Sequence, residues 1–511
     1  MLIGGNAHFE AFFEVLPPST NSLIHYLGIP LVLLFDARVA EKIIISALIV
    51  GGTLALRCCA RAMGAPNAWV CAFAAPATYT LTLYTGNYNF LLSFLLFFLI
   101  LRRILLDAER FGVASGLRLA VLFLLAALAH PIGAIFAAVG SGVLVLWSAW
   151  LRTSAASGRA RLLGIVRHCW VPALAAIPAM LLMGLYLWSH YTDGAEFGPG
   201  VHFGPGLVAR LKSFVGLRQL YTVDNWQIFV CLAAALALQL LTGAALLARI
   251  RMLQLKPRLD LCDGLLLVAA VALALYLVIP DGGAGAGYIV GRLDLIPWLV
   301  LLIWVATRPF GRIERGAALV LVGPIALALL ATNAIAIAKV QPALAALAAG
   351  EALLAQGSTV LPIIAKEKPI YAFPEQGYLQ NNPFQHTQHY AAADRGIVML
   401  SNWNAHYWGF PIHFRARTDP YRFFDPVGLR DMDLERYETE TGQSIDAVIV
   451  LGATPDDLAR DHAPLFTTLT RLYCPCSVPA SVGSLFVHHA ADGSCRPAST
   501  SRTPVQYETT N

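Results

Sequence analysis

Two carboxylates stand four residues apart near the start of the chain, Glu10 and Glu14. On a helix that spacing puts both on one face, close enough to share a proton or a divalent metal ion. The alternative is a pair of ordinary solvated acids. Cations able to meet a phosphate stand at Arg292, within Gly291-Arg292-Leu293-Asp294, and at Arg210 and Lys212. Arg292 has the competing option of pairing with Asp294 or Asp281. His130, which precedes Pro131, and Asn87 and Asn89 are candidates to line a cavity. A histidine bonded at a helix break and asparagines serving a tight turn are the structural alternatives. Trp403, His406, Tyr407 and Trp408 form an aromatic cluster suited either to stacking on sugar faces or to resting at a membrane interface.

Nucleotide hydrolysis, zinc catalysis and serine hydrolysis have no motif to carry them, since GxxxxGK[ST], HExxH and GxSxG are all absent. The elements that must position the polar residues are set by composition. Of 511 residues, 57% are hydrophobic and only 13% charged, whereas a soluble domain carries about 25% charged residues. Lipid must therefore cover most of the surface. Apolar runs predict about ten helical crossings, near 39–56, 68–85, 90–106, 118–130, 131–151, 170–190, 228–250, 263–280, 292–307 and 316–339. The net charge of +5 does not point to nucleic acid, because Lys and Arg cluster in short loops between these runs. Arg57 and Arg61, Arg102 to Arg118, Arg152 to Arg167, Arg249 to Arg258 and Arg308 to Arg315 all fall on one side, which marks it as cytoplasmic.

This topology places 1–38, an outer loop 191–227 and everything from 341 outside. Within the loop, Leu207, Val208, Leu211, Phe214 and Val215 recur at helical spacing, as in an interfacial amphipathic helix. Residues 341–355 read as a helix that continues the last crossing. Apolar runs at 358–364, 369–373, 396–401, 446–452, 467–473 and 483–489 read as strands, and Thr454-Pro-Asp-Asp-Leu as a capped helix. The expectation is a small soluble α/β domain over 341–495 and a disordered tail over 496–511. Cys58, Cys59, Cys71, Cys169, Cys231 and Cys262 lie in or beside apolar segments. Three cysteines remain, so one disulfide from Cys495 to Cys474 or Cys476 is expected if the domain faces an oxidising compartment.

Leu16-Pro-Pro-Ser-Thr-Asn-Ser-Leu-Ile-His25, Ala40-Glu-Lys42, Gly86-Asn-Tyr-Asn-Phe90 and His130-Pro-Ile-Gly133 resemble the GT-C superfamily of polytopic membrane glycosyltransferases. The likeness is greatest to bacterial members with an extracytoplasmic C-terminal domain. It covers the architecture of the first 340 residues. His386-x-x-x-Tyr390 and Asp394-Arg395-Gly396 look like the same group. The resemblance implies transfer of a sugar from a polyprenyl-phosphate carrier to a glycan or lipid acceptor at the outer face of a bacterial inner membrane. In that chemistry an outer-loop carboxylate acts as base or holds a divalent metal, and cations stabilise the phosphate. The family begins with one more helix, leading into an acidic loop, and no signal peptide is evident here. The expected partners are membrane lipid, the lipid-linked sugar and its acceptor. A non-catalytic subunit of envelope polysaccharide assembly is the alternative. A secondary transporter ranks last, because no internal repeat is evident and the charges stand at helix ends.

Overall fold

The computed structural model describes residues 6–193, 203–220, 226–282, 289–351, 353–364, 389–406, 410–424, 432–451, 453–476 and 483–488. The chain starts with a short helix α1 (Ala7–Phe12) and a strand β1 (Phe13–Val15), then an apolar helix α2 (Leu23–Leu34). The bundle follows: α3 (Ala37–Ala62), α4 (Ala74–Ala77), α5 (Leu81–Tyr84), α6 (Tyr88–Leu106), α7 (Val113–Ala129), α8 (Pro131–Arg152) and α9 (Gly158–Asp193). Next come α10 (Leu207–Gly216), α11 (Trp226–Leu255), α12 (Gly264–Val278), α13 (Ile289–Leu293), α14 (Leu295–Ala306) and α15 (Arg312–Glu351). Eight helical stretches among the described residues are long and apolar enough to cross a membrane. With their apolar flanks facing outward, Leu185 at 68%, Val320 at 72% and Leu327 at 69% exposed, they make this a helical multi-pass membrane protein.

The expected crossing at 68–85 is not one helix. It breaks into a 3-10 turn at Ala68–Phe73, α4 and α5. Pro76 and the hydroxyls of Thr78 and Thr80 compete with the helical ladder: Thr78 Oγ1 donates to the Ala74 carbonyl, and Thr80 Oγ1 accepts from the Leu83 amide. The segment still runs the length of the bundle. Asn67, at one end, bonds to the Ala306 and Arg308 carbonyls beyond α14, while Tyr88, at the other, bonds to Glu41 in the first turns of α3. Irregular backbone at such depth is tolerated because it is enclosed by α3, α6 and α14.

Helices approach closely where side chains are small. On α8, a Cβ placed on Gly133 would lie 1.8 Å from Ser93 Oγ and 2.3 Å from its Cβ on α6. Gly133→Ala is therefore expected to destabilise the bundle by about 1–3 kcal/mol. In a detergent melt, Ser93→Gly in the same chain should restore most of the loss, and a lack of rescue would place the strain elsewhere. At the basic-rich end, Arg249 donates to both oxygens of Asp263, at 2.9 Å through Nε. Arg308 lies 3.7 Å from Asp263 and 3.6 Å from Asp260. This network joins α11, the start of α12 and the end of α14.

After α15 come β2 (Thr359–Ile364), α16 (His389–Arg395), β3 (Val398–Met399), α17 (Trp403–His406), β4 (Ile412–Phe414) and α18 (Leu434–Thr441). The chain continues with β5 (Ala447–Leu451), α19 (Pro455–Asp461), α20 (Ala463–Leu472), β6 (Tyr473–Cys476) and β7 (Gly483–His488). Five strands form a mixed sheet in the order β3-β2-β5-β7-β6, parallel at β3-β2-β5 and antiparallel beyond. Thr454 caps α19 with a capping box, as its sequence predicts. The run 467–473, expected as a strand, is mostly the helix α20: Leu465, Leu469 and Leu472 recur at i, i+4 and i+7, and the β-favouring threonines between them face solvent. Cys474 is disulfide-bonded and Cys476 is a free thiol. The expected partner Cys495, the run 369–373 and the tail 496–511 lie outside the described residues.

The N-terminal segment belongs to this same body. β1 pairs antiparallel with β4, Glu14 opposite His413, and Phe12 and Phe13 join the core formed by Leu361, Val448, Tyr437 and Phe486. The helix over Glu10 ends at Phe12, so Glu14 lies on a strand and the expected shared helical face does not form.

Candidate functional site

The break in the 68–85 segment leaves a cleft between α3, α6 and α14. Its walls are apolar: Leu48, Gly52 and Leu56 of α3, Phe90, Phe94 and Phe98 of α6, and Leu295 and Leu299 of α14. Polarity is confined to Thr78, Thr80, Thr82, Gln219 and Arg292. The half-buried Arg292 stands at the end of α13, its guanidinium 5.9 Å from the Phe90 ring centre, an attractive cation–π geometry that holds the cation at the cleft wall. The carboxylates expected beside it have bonds of their own. Asp281 accepts from the Val290 amide at 2.9 Å, and Asp294 accepts from the Ser213 hydroxyl at 3.2 Å.

Arg210 does a different job from the one its sequence position suggests. It is 4% exposed, and it donates to the Pro205 carbonyl and, through Nη1, to the carbonyls of Tyr276, Leu277 and Ile279 at 2.6–3.1 Å. Those are the orphan acceptors at the C-terminal end of α12, so Arg210 caps that helix. Lys212 is exposed on α10 beside the apolar, solvent-facing Val208, Leu211 and Val215, while Phe214 turns inward and stacks on Trp298 at 4.8 Å. That placement suits an interfacial helix with its lysine at headgroup level.

His130 caps α8: its Nδ1 accepts from the Ile132 amide at 3.3 Å, and its ring meets Phe90 edge-on at 5.1 Å. It buttresses the cleft wall from behind. Asn89 is fully used in anchoring α2, with Oδ1 accepting from the Ile24 amide and Nδ2 donating to the Asn21 carbonyl, both at 2.7 Å. Asn87 donates to Thr85 Oγ1 within the turn at Gly86, whose φ of +71° requires glycine. Glu10 and Glu14 are exposed, and neither lines the cleft.

The carboxylate that does stand over the cleft is Glu41. Glu41, Leu48 and Gly52 share one face of α3, and the rise of seven residues puts Glu41 about 10 Å beyond Leu48. Tyr88, Leu91 and Leu95 share the facing side of α6. Tyr88 donates to Glu41 Oε1 at 2.7 Å, and Tyr390 of α16 donates to Oε2. Burial and the Glu41 carboxylate push the Tyr390 phenol up from its ordinary value, so it remains a donor. Arg38 pairs with Asp394 at 3.0 Å and lies over the Tyr390 ring. Each Glu41 oxygen keeps a second lone pair for an incoming hydroxyl. The sequence did contain a signal for this cluster, since Ala40-Glu-Lys, Gly86-Asn-Tyr-Asn and Tyr390 with Asp394 are among the stretches singled out above, but their meeting was not readable from it.

Of the aromatic cluster in the tail, Tyr407 and Trp408 and the side chain of Trp403 lie outside the described residues. His406 bonds through Nδ1 to Asp419 at 2.7 Å and stacks on Tyr421. Among the described residues no three His, Cys, Asp or Glu side chains converge as a metal cage. Compared with known proteins, the chain matches no family model, no curated protein and no solved structure.

Proposed function

We propose that the chain is a GT-C-like membrane glycosyltransferase, moving a sugar from a polyprenyl-phosphate carrier to a glycan or lipid acceptor at the extracytoplasmic face. The observation that carries this reading is the apolar cleft ending at Arg292: hydrocarbon walls suit a prenyl chain, and one half-buried cation suits its phosphate. Orientation has independent support. Residues 7–15 and the C-terminal sheet share one core, so the bundle between them must cross an even number of times. Ten crossings, counting the broken segment and α7, satisfy that condition and leave the basic loops on the opposite side. The bonded Cys474 fits an oxidising compartment outside the inner membrane.

In the reaction, the acceptor oxygen forms a bond to the anomeric carbon as the bond from that carbon to the phosphate oxygen breaks, with inversion. Glu41 takes the acceptor proton, and Arg292 stabilises the charge left on the phosphate. The test is full-length protein in liposomes with radiolabelled glycosyl-phosphoryl polyprenols and cell-envelope acceptors. Transfer with release of polyprenyl phosphate is expected, and failure with every donor would sink the reading. Arg292→Gln should weaken polyprenyl phosphate binding about ten- to a hundredfold, the worth of a charged hydrogen bond. Unchanged affinity by native mass spectrometry would remove Arg292 from the site. A non-catalytic assembly subunit is the second reading, favoured by the exposure of Glu10 and Glu14. It predicts that no carboxylate substitution, Glu41 included, alters the cellular phenotype.

A further inference from the structure

Gln219 sits in the short 3-10 turn Arg218–Leu220 after α10 and lines the cleft together with Arg292. It is 7% exposed, yet its buried Oε1 has no hydrogen-bond partner. A buried carbonyl oxygen left without a donor is destabilising, so a side chain such as Leu would serve a purely structural turn better. Gly291, one residue before Arg292, leaves the amide its room: a Cβ there would lie 3.0 Å from Nε2. The same end of the cleft thus offers a guanidinium with donors only and an amide with both a donor and an acceptor.

An anion accepts from guanidinium N–H groups but supplies nothing to the amide oxygen, which needs a donor. A hydroxyl-bearing group attached to that anion supplies it, as it donates to Oε1 and accepts from Nε2. We propose that Gln219 is the specificity-determining residue by which the cleft prefers a lipid phosphate carrying a hydroxyl-rich substituent, a glycosyl phosphate ester, over the same lipid with a bare phosphate. This deepens the glycosyltransferase reading and rests on it. In consequence, the spent carrier is released after transfer because it no longer satisfies the amide.

The experiment uses the full chain in nanodiscs and measures the affinities of decaprenyl phosphate and glucosyl-phosphoryl decaprenol for wild type, Gln219→Leu and Arg292→Gln. Wild type should prefer the glycosylated lipid by about tenfold, the worth of one well-made hydrogen bond, and Gln219→Leu should abolish the preference while melting no earlier than wild type. Phosphatidylglycerol and phosphatidic acid form a parallel pair. A Gln219-dependent preference seen only there supports the hydroxyl readout but assigns it to a glycerophospholipid headgroup. An unchanged ratio in Gln219→Leu, with binding still dependent on Arg292, overturns the role of Gln219 and spares the glycosyltransferase reading. Absence of Arg292-dependent binding to any of the four lipids overturns both.

Discussion

Replacing Glu41 by Gln is expected to lower sugar transfer by about 10²- to 10⁴-fold, the usual contribution of a positioned general base, while leaving the affinity for the lipid carrier at its wild-type value. The amide keeps the size of the carboxylate, its oxygen accepts from one of the two tyrosines and its NH2 donates to the hydroxyl oxygen of the other, so the packing of α3 against α6 and α16 is preserved. Only proton acceptance is lost. Tyr390→Phe should fall less far, because Tyr88 continues to orient the carboxylate. Initial rates in liposomes, set beside lipid titration of the same samples, separate the chemical step from binding. A Glu41→Gln protein that transfers sugar at the wild-type rate would take this residue out of the chemistry and return the search to the exposed Glu10 and Glu14.

The largest effect on stability is expected far from the cleft. Asp263→Ala leaves Arg249 and Arg308 buried, their side chains 7% and 6% exposed, with only the half-exposed Asp260 to balance them. Breaking a buried pair by removing one partner costs about 3–5 kcal/mol, since the remaining charge has lost its water without compensation. The double replacement Arg249→Met with Asp263→Leu should cost less than Asp263→Ala alone, because it removes both members of the tightest pair and leaves Arg308 beside Asp260. Melting in detergent provides the comparison. If the double variant proved the weaker protein, the network would be holding α11 and α12 together by geometry that charge balance does not describe.

How much of this was readable beforehand follows from the range of the interactions. Long apolar runs between basic loops predicted most of the bundle correctly, because crossing a bilayer is a constraint on local composition. The segment 68–85 has the composition of a crossing but breaks, because Pro76 removes a backbone donor, Thr78 and Thr80 bond backbone groups locally, and neighbouring helices tolerate the result. Arg210 and Arg292 are alike on paper: both are cations near the outer ends of apolar segments. They part only when α12 is seen to end within reach of Arg210, which turns one cation into a cap. Glu41 escaped notice as a candidate because its partner Tyr390 lies 349 residues away. Glu10 and Glu14 drew attention through a helical spacing that β1 interrupts, and β1 exists only because β4 is there to pair with it.

An electron cryo-microscopy structure of the full chain in nanodiscs with added decaprenyl phosphate tests whether the proposed prenyl lipid occupies the cleft between α3, α6 and α14. A chain of density along Leu48, Gly52, Phe94 and Leu299 is expected, with the phosphate within hydrogen-bond distance of Arg292. Lipid density confined to the outer surface of the bundle, with the cleft closed or filled by its own side chains, would contradict it.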